Sequence, residues 1–266
     1  MELTMKELQY YLEVALLVAE CGGKEALKFF RTEGLKVESK LTTSFDPVTR
    51  ADKDAERMMR DHIKRYFPSD GVIGEEYNNI PSASGITWVI DPIDGTRAFV
   101  SGTPSWGVLV AVNNGNIPII GVIYQPFTGE IFYGGQGVAY FRRNGEDTKI
   151  NVRRCAKISQ AILFSTYPEI GTQREYNQFQ LINKMVMQTR YGFDCYAYAM
   201  LAMGFIDIIM EAGLKSYDIQ APYALICAAG GVASNWDGCD PQFGGTFLAC
   251  GDKHLHSMII SELSRS

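Results

Sequence analysis

The feature that most constrains this chain is Trp88–Thr96, a short apolar run that ends on two aspartates. The run is too short for a helix and is bounded by a proline and a glycine, which is typical of a buried strand. Asp91 and Asp94 are then expected on the turn that leaves the strand. Two carboxylates this close repel each other unless a cation or a proton lies between them. The pattern therefore predicts a divalent-metal site at the carboxyl end of a strand, facing a phosphate.

The composition of the chain is that of an ordinary globular protein, with 266 residues, 46% hydrophobic and 21% charged. We predict a single domain over residues 1–266 with a subdomain seam near 142–150. The formal net charge of -5 argues against a general nucleic-acid or membrane-surface binder. No apolar run approaches the roughly 18 residues that span a bilayer, and the first residues lack the order of a signal peptide. We therefore expect a cytoplasmic protein.

The cysteines and histidines offer little for other kinds of chemistry. The six cysteines are scattered without a C-x-x-C pair, which favours buried free thiols over a zinc or redox site. Of the three histidines, His254 and His256 are two residues apart, so neither shares a helix face with the other and both are expected at the surface. A Ser-His-Asp hydrolase is therefore disfavoured.

Two capping boxes predict the first helices of the chain. Thr4 precedes apolar residues at helical spacing, which predicts a helix over about 5–31. Thr49-x-x-Asp52 predicts the start of a second helix, which Pro68 ends. The intervening residues 34–50 are interpreted as a loop or an irregular hairpin.

The rest of the chain alternates between strand and helix patterns. Short apolar runs separated by Asn-Gly, Thr-Gly and Gly-Gly turns in the first half indicate an antiparallel or mixed sheet. The second half alternates more regularly, which favours an α/β or α+β fold with helices covering more than one sheet. Strands are predicted at 72–74, 108–112, 118–124, 130–133, 138–141, 161–165, 206–211 and 247–250, and helices at 174–188, 195–203, 219–229 and 253–263.

Four acids are candidate metal ligands: Glu75, Asp91, Asp94 and Asp218. All are hard oxygen donors, which favours Mg²⁺ or Mn²⁺ over zinc. Glu75 and Asp91 both follow strand-like runs, so parallel neighbouring strands would bring them to one edge. The alternatives are a solvated loop acid for Glu75, turn formers for the Asp91/Asp94 pair, and a helix cap for Asp218. Taken jointly the alternatives weaken, because a buried strand rarely ends on such acids without a charge to neutralise.

The next residues suit an anion. Backbone N–H groups of Gly95 and Thr96 lie at a predicted helix start, where the helix dipole favours a phosphate. Cations and amide donors around an oxyanion are what phosphoryl transfer requires. Other phosphatase chemistries lack their residues, since no C-x5-R or R-H-G motif occurs and Pro92 stands where a phosphoaspartate motif has its nucleophile. A metal-activated water is the remaining nucleophile.

These motifs resemble those of the inositol monophosphatase family. The resemblance rests on Gly74–Glu76, on Asp91–Thr96, and on Asp218 followed by Ala229–Val232, and it extends along most of the chain, including Asp46–Asp52. It implies a layered αβαβα sandwich of the α/β (α+β) class, usually assembled as a homodimer. It also implies in-line hydrolysis of a small phosphate monoester without a phosphoenzyme.

Carried over residue by residue, the resemblance implies a ligand set and a catalytic pair. The ligands of two or three Mg²⁺ ions, with Mn²⁺ as an alternative, would be Glu75, Asp91, the Ile93 carbonyl, Asp94 and Asp218. Thr96 and Asp52 match the pair that orients and deprotonates the attacking water, with Glu75 as a further catalytic acid. Asp52 has helix capping as an alternative role, and the amides of Gly95 and Thr96 would hold the phosphate. Tyr217 departs from the tryptophan that is common in the family at this position.

The substrate is expected to be chosen outside the metal ligands. Arg97–Gly107 and Gly192–Tyr198 resemble the histidinol-phosphate phosphatase branch, which implies L-histidinol phosphate and a role in histidine biosynthesis. Glu211, seven residues before Asp218, matches the substrate-contacting glutamate of the family, and Asp94 and Asp194 are the other expected substrate contacts. Two carboxylates at the leaving group, Asp194 and Glu211, would suit an amino alcohol cation better than a neutral polyol. Asp194 could instead cap the helix that follows it. The alternatives are an inositol or broad sugar phosphatase, and a non-catalytic regulatory protein, which the complete set of acids opposes.

Overall fold

The computed structural model describes residues 3–33, 37–39 and 47–265. Its helices are α1 Met5–Leu27, α2 Arg50–Tyr66, α3 Thr96–Val100, α4 Gln173–Asn183, α5 Asp194–Ala202, α6 Ser216–Ala228 and α7 Lys253–Leu263. Its strands are β1 Val37–Ser39, β2 Pro47–Thr49, β3 Gly71–Gly74, β4 Thr87–Asp94, β5 Gly107–Asn113, β6 Pro118–Gln125, β7 Glu130–Gly135, β8 Val138–Arg143, β9 Glu146–Ile150, β10 Ile162–Ser165, β11 Gln188–Tyr191, β12 Ile208–Lys215, β13 Val232–Ser234 and β14 Gly244–Cys250.

The strands form two large sheets and one small pair. A seven-stranded sheet runs from β3 to β9 in chain order, with β3 and β4 parallel and the other neighbours antiparallel. A five-stranded sheet has the order β11-β10-β12-β14-β13. Strands β1 and β2 pair antiparallel, so the hairpin predicted within 34–50 is present at these strands, and the other residues of that prediction lie outside the described part.

Apolar clusters order the elements into five layers. Helices α1 and α2 cover one face of the seven-stranded sheet, with Met59 and Ile63 of α2 packing against Trp88. Helices α5 and α6 lie between the sheets, where Leu201 and Leu225 belong to one buried cluster with residues of both. Helices α4 and α7 cover the outer face of the five-stranded sheet. The predicted αβαβα sandwich of the α/β (α+β) class is therefore confirmed.

Helices α1 and α4 end earlier than predicted. Helix α1 ends at Leu27 rather than at residue 31, and a turn follows in which Arg31 has a left-handed φ of +57°, a conformation that a regular helix excludes. Helix α4 ends at Asn183 rather than at residue 188. Gln188–Tyr191 is an edge strand instead, because its backbone pairs in parallel with β10.

Strands β9 and β13 were not predicted from the sequence. Strand β9 is polar and exposed except at Ile150, so it lacks the alternation that marks a half-buried strand. It pairs with β8, and residues 142–150 therefore belong to the last hairpin of the seven-stranded sheet. The chain passes to the five-stranded sheet between Ile150 and Ile162. The subdomain seam itself stays a prediction.

The surface assignment of His256 is wrong, whereas His254 is exposed as expected. His256 lies on the buried face of α7, where one ring nitrogen is 2.9 Å from Ser234 Oγ, and burial lowers its pKa. All six cysteines lie in the described part and are free thiols. Cys195 and Cys250 are buried as expected, but Cys227 and Cys239 are exposed.

Candidate active site

Strand β4 carries the first two acids of the site. It continues beyond Pro92 to Asp94, which corrects the prediction that the strand ends before Asp91. The register against β5 shifts between Asp91 and Asp94, and the parallel pairing with β3 ends at Ile90. A proline without an N–H is tolerated at such an irregularity because no ladder hydrogen bond is lost there. The bulge lets the strand present both carboxylates to the same site.

Three carboxylates converge at the end of β4. One oxygen each of Asp91, Asp94 and Asp218 lies within 4.8 Å of the other two. Burial raises the pKa of Asp91 and of Asp94 well above the ordinary value, and the charges of the neighbouring acids raise both further. Removing these groups from water without a counter-charge is costly. The cluster therefore needs protons or cations to be stable.

Asp218 reaches this cluster from the first turn of α6. The helix begins at Ser216, so Asp218 lies within its first turn. This corrects the prediction that Asp218 lies just before the helix. Its Oδ2 accepts a hydrogen bond of 2.6 Å from the N–H of Lys215, the residue that precedes the helix. Asp218 therefore satisfies a free helix-terminal donor and contributes to the acidic cluster at once.

Glu75 joins the cluster through the parallel pairing of β3 with β4. The register matches Gly74 with Ile90, so Glu75, which directly follows the end of β3, lies beside Asp91, which continues β4. The charge of Glu75 raises the pKa of Asp91 further. The expectation that parallel neighbours bring these two acids to one edge is confirmed.

The donor chemistry of these acids fits a divalent cation. Carboxylate oxygens without histidine or thiolate ligands are what Mg²⁺ and Mn²⁺ prefer. The carbonyl oxygen of Ile93 lies between Asp91 and Asp94 in sequence and accepts a hydrogen bond of 3.2 Å from Thr96 Oγ1. It is an additional hard donor beside the cluster.

Thr96 and Asp52 are in contact although 44 residues separate them in the chain. Thr96 Oγ1 lies 3.3 Å from Asp52 Oδ1. The second carboxylate oxygen of Asp52 accepts from both the N–H and the hydroxyl of Thr49, at 2.7 and 2.6 Å, which is the predicted capping box. Asp52 therefore caps α2 and contacts Thr96 at the same time. Burial raises the pKa of Asp52.

A cavity of about 270 Å³ opens in front of these residues. It is strongly acidic, and one cation, Arg97, lies on its wall with its guanidinium 5.1 Å from the centre of the Tyr167 ring. The predicted site residues that line the cavity are Asp94, Gly95, Thr96, Asp194, Glu211 and Asp218.

Asp194 does not cap α5. The capping position is Phe193, and Asp194 is the first helical residue, with a left-handed φ of +43°. Its Oδ2 accepts a hydrogen bond of 2.7 Å from Ser105 Oγ. The N–H of Cys195 is bonded instead to Asp94 Oδ2, at 2.6 Å. The helix that carries Asp194 is therefore anchored on a member of the acidic cluster, and the capping alternative for Asp194 is wrong.

Glu211 lines the same cavity from β12. It is 4% exposed, and its Oε1 accepts a hydrogen bond of 2.9 Å from Thr166 Oγ1. Burial raises the pKa of Glu211 to about 8, although the Thr166 hydrogen bonds act in the opposite direction. Ser105 and Thr166, which hold the two cavity acids, were not predicted, because a hydroxyl partner 89 or 45 residues away leaves no local pattern.

Comparison with known proteins identifies the family of this chain. The sequence profile of the inositol monophosphatase family matches residues 7–266. The chain belongs to the inositol monophosphatase family. As a member of this family it is a phosphatase, a phosphoric monoester hydrolase. Within the described ranges, no helix is long and apolar enough to cross a membrane.

Its relatives in the family include proteins with different names. The chain is 35% identical to the chloroplastic bifunctional phosphatase IMPL2 of Arabidopsis thaliana, over 98% of the chain and 77% of that protein. It is 31% identical to a histidinol-phosphatase of Chlorobaculum parvum, over 95% of the chain and 96% of the relative. A solved inositol monophosphatase from Zymomonas mobilis is 32% identical, with a TM-score of 0.84 over 96% of this chain and 98% of that one.

The buried state of Glu211 has a measurable consequence for this phosphatase. In the unfolded chain Glu211 ionises near its ordinary pKa of 4.5, whereas in the fold it stays protonated up to about pH 8. Between these two pH values only the unfolded chain releases the proton, so the metal-free fold loses stability progressively from about pH 4.5 to 8, and the loss is complete above about pH 8. We expect Glu211→Gln, which cannot ionise, to gain stability over the natural chain as pH rises through this window. Urea unfolding in EDTA at pH 5.5, 7.0 and 8.5 measures it, and a difference independent of pH would contradict it.

Proposed function

We propose that this protein is a Mg²⁺-dependent histidinol-phosphatase, which hydrolyses L-histidinol phosphate to L-histidinol and phosphate in histidine biosynthesis. The observation that carries the proposal is a single acidic cavity that joins Asp194 and Glu211 to the cluster of Asp94 and Asp218. The likeness to a relative named histidinol-phosphatase adds support. In this proposal the acids of the cluster carry out the hydrolysis, and Asp194 and Glu211 favour a leaving group that bears a positive charge.

The metal ligands in this proposal are Glu75, Asp91, the Ile93 carbonyl, Asp94 and Asp218. Bound divalent cations supply a water of lowered pKa and neutralise charge on the phosphate. Thr96 Oγ1 orients the attacking water, accepts its proton and passes its own proton to Asp52 Oδ1, which lies 3.3 Å away. The raised pKa of Asp52 suits this base to its task. The amides of Gly95 and Thr96 donate to phosphate oxygens.

The charge of the cavity supports the proposal of an amino alcohol substrate. Histidinol carries an ammonium group, and a hydrogen bond from a cation to a buried carboxylate contributes about 1.5–3 kcal/mol. Asp194 is available for it, because it does not contribute to the Asp91–Asp94–Asp218 cluster. Glu211 lies outside that cluster too and is protonated at neutral pH in the unliganded fold, and the charge of a bound ammonium group lowers its pKa, so that it ionises with the substrate in place. The second candidate substrate is myo-inositol monophosphate, whose hydroxyls can donate to the same carboxylates. The likeness to a solved inositol monophosphatase favours this alternative.

Replacing Asp194 by Asn separates the two substrates. Asparagine keeps the shape, tolerates a left-handed φ and can still accept from Ser105, so the change removes mainly the charge. We expect kcat/KM for L-histidinol phosphate to fall about 10- to 100-fold and kcat/KM for myo-inositol 1-phosphate to change less than about threefold. Steady-state phosphate release from both esters measures this. Equal losses on both would refute the charge argument.

The matched control is a carboxylate outside the cavity. Glu130 is also largely buried and accepts a hydrogen bond from a tyrosine, Tyr196, at 2.9 Å. Glu130→Gln should leave the ratio of the two kcat/KM values unchanged, because Glu130 does not line the cavity. The homodimer and the use of Mg²⁺ rather than Mn²⁺ are proposed on the family resemblance alone.

A further inference from the structure

Helix α2 carries a second buried carboxylate, Glu56, one turn after Asp52. Glu56 is 0% exposed. A carboxylate removed from water is costly unless hydrogen bonds or charges compensate. An apolar side chain would fill this place in the core without that cost. The partners of Glu56 therefore indicate why an acid is present.

Those partners are the backbone of the segment that follows Glu75. Glu56 Oε2 accepts from the N–H of Glu76 at 2.7 Å, and Oε1 accepts from the N–H of Tyr77 at 3.2 Å. Oε1 also accepts from Arg60 Nε at 2.7 Å, one helical turn further along. Both carboxylate oxygens are thus used on the residues directly after the candidate metal ligand.

Arg60 holds the carbonyl groups of the same segment. Its two terminal nitrogens donate to the carbonyls of Tyr77 and Asn78, each at 3.1 Å. The Tyr77 hydroxyl in turn donates to the carbonyl of Lys53 on α2, at 3.1 Å. The segment is therefore fixed to the helix through N–H groups, C=O groups and a side chain.

The residue before Glu75 is shaped to this pair. A Cβ atom on Gly74 would overlap Glu56 Oε1 and lie 2.8 Å from Arg60 Nη2. Glycine therefore lets the end of β3 approach the Glu56–Arg60 pair closely. Glu75 is held between this tight approach on one side and the bonded amides of Glu76 and Tyr77 on the other.

We propose that Glu56 and Arg60 are positioning residues for Glu75. Helix α2 presents two buried carboxylates four residues apart: Asp52 contacts Thr96, and Glu56 holds the segment after Glu75. One rigid helix thereby sets the two halves of the site relative to each other. The inference rests on the proposed role of Glu75 as a metal ligand, and Glu56 itself touches neither metal nor substrate.

Glu56→Gln tests the proposal with little change in shape. Both oxygens of Glu56 accept hydrogen bonds, but a glutamine has only one acceptor oxygen. Its NH₂ group must therefore face either a backbone N–H of the segment or the Arg60 Nε–H, and that donor loses its hydrogen bond. We expect the Mg²⁺ affinity of the initially metal-free protein, measured by calorimetry, to fall about 10- to 100-fold, with a matching loss in kcat. At saturating Mg²⁺, KM for the phosphate ester should change less than about threefold. Amide exchange at Glu76 and Tyr77 should become at least about tenfold faster.

Asp54→Asn is the matched control. Asp54 lies on the same helix and pairs with Arg50 and Arg57, away from the Glu76–Asn78 segment. It should leave the Mg²⁺ affinity and the exchange of the Glu76 and Tyr77 amides unchanged. Losses as large as those of Glu56→Gln would overturn the proposal, because they would reflect the charge of the helix in general.

Arg60→Met keeps the proposal testable if Glu56→Gln does not fold. It removes the donors to Tyr77 and Asn78 and should lower the Mg²⁺ affinity in the same direction. Unchanged Mg²⁺ affinity in the folded variants would overturn the positioning role, even if exchange of the segment accelerates. Glu75→Gln distinguishes this proposal from the proposed role of Glu75. If Glu75→Gln also keeps the natural Mg²⁺ affinity and activity, the proposed role of Glu75 as a metal ligand fails. If Glu75→Gln loses Mg²⁺ affinity while the Glu56 and Arg60 variants keep it, only the positioning role of Glu56 and Arg60 is refuted.

Discussion

Asp91→Asn is expected to lower kcat by at least about 10³-fold and to raise the stability of the metal-free protein. Asp91 is buried among other acids, and both burial and the neighbouring charges raise its pKa well above the ordinary value. Asparagine removes that charge and still accepts the Ile93 N–H, which Asp91 Oδ1 accepts at 2.9 Å. The same change removes a proposed cation ligand, so stability and activity should move in opposite directions.

Thermal unfolding with EDTA and with Mg²⁺ measures both halves of this prediction. In EDTA the variant should melt higher than the natural chain, by about 2–4 °C for each kcal/mol of relieved repulsion. In Mg²⁺ the order should reverse, because a ligand that binds only the folded state stabilises it in proportion to its affinity. Asp61→Asn, at an exposed position on α2, is the control and should change neither kcat nor the melting temperature. A variant that stays active, or that melts lower in EDTA, would contradict the account of the cluster.

Gly95→Ala is expected to lower kcat/KM at least about 100-fold, because a displacement of about 1 Å at a reacting centre has this effect. Gly95 has a φ of +86°, and a Cβ atom there would lie 2.8 Å from both Cβ and Cγ of Asp194. The methyl group must therefore push apart the turn that carries the Gly95 and Thr96 amides and the helix that carries Asp194. Both the phosphate site and the outer wall of the cavity should shift.

Gly102→Ala separates this clash from the backbone strain. Gly102 has a similar φ of +73°, but a Cβ atom there would meet only Arg31, at an ordinary contact distance of 3.5 Å. Backbone strain should cost both variants about 1–2 kcal/mol of stability, since a left-handed conformation is costly for alanine, and the contact with Asp194 adds to this loss in Gly95→Ala. Only Gly95→Ala should show the large loss of kcat/KM. Kinetics and thermal unfolding of the pair provide the comparison. Similar kinetic losses in both would show that strain, rather than the contact with Asp194, is responsible.

Local patterns were sufficient to predict the parts of the site that are encoded within a few residues. Asp91 and Asp94 follow a buried apolar run, and Glu75 follows a second one, so the sequence predicts that these acids meet at one edge if their strands are parallel neighbours. The contact between Asp52 and Thr96 spans 44 residues and was expected only from the family resemblance. The extension of β4 beyond Pro92 could not be predicted, because proline normally ends a strand and the bulge depends on the neighbouring strand.

The remaining parts depend on contacts that no local pattern reports. The Cys195 N–H bonds to Asp94 across 101 residues, which places Asp194 at the cavity and leaves it without the capping role that its position indicates. The hydroxyl of Ser105 reaches Asp194 across 89 residues. In the sequence, Glu56 cannot be distinguished from any other acid on an amphipathic helix. Its role is visible only in the fold, where it binds the segment after Glu75. Strand β9 is exposed and polar, so only its pairing with β8 reveals it.

Phosphate release from L-histidinol phosphate by the purified protein, with Mg²⁺ and after metal removal by EDTA, tests the central claim most directly. Release should require Mg²⁺, return when Mg²⁺ is added back, and be faster than release from myo-inositol 1-phosphate at equal concentration. Release that continues unchanged after metal removal would contradict a mechanism in which the acids around Asp91 hold catalytic cations.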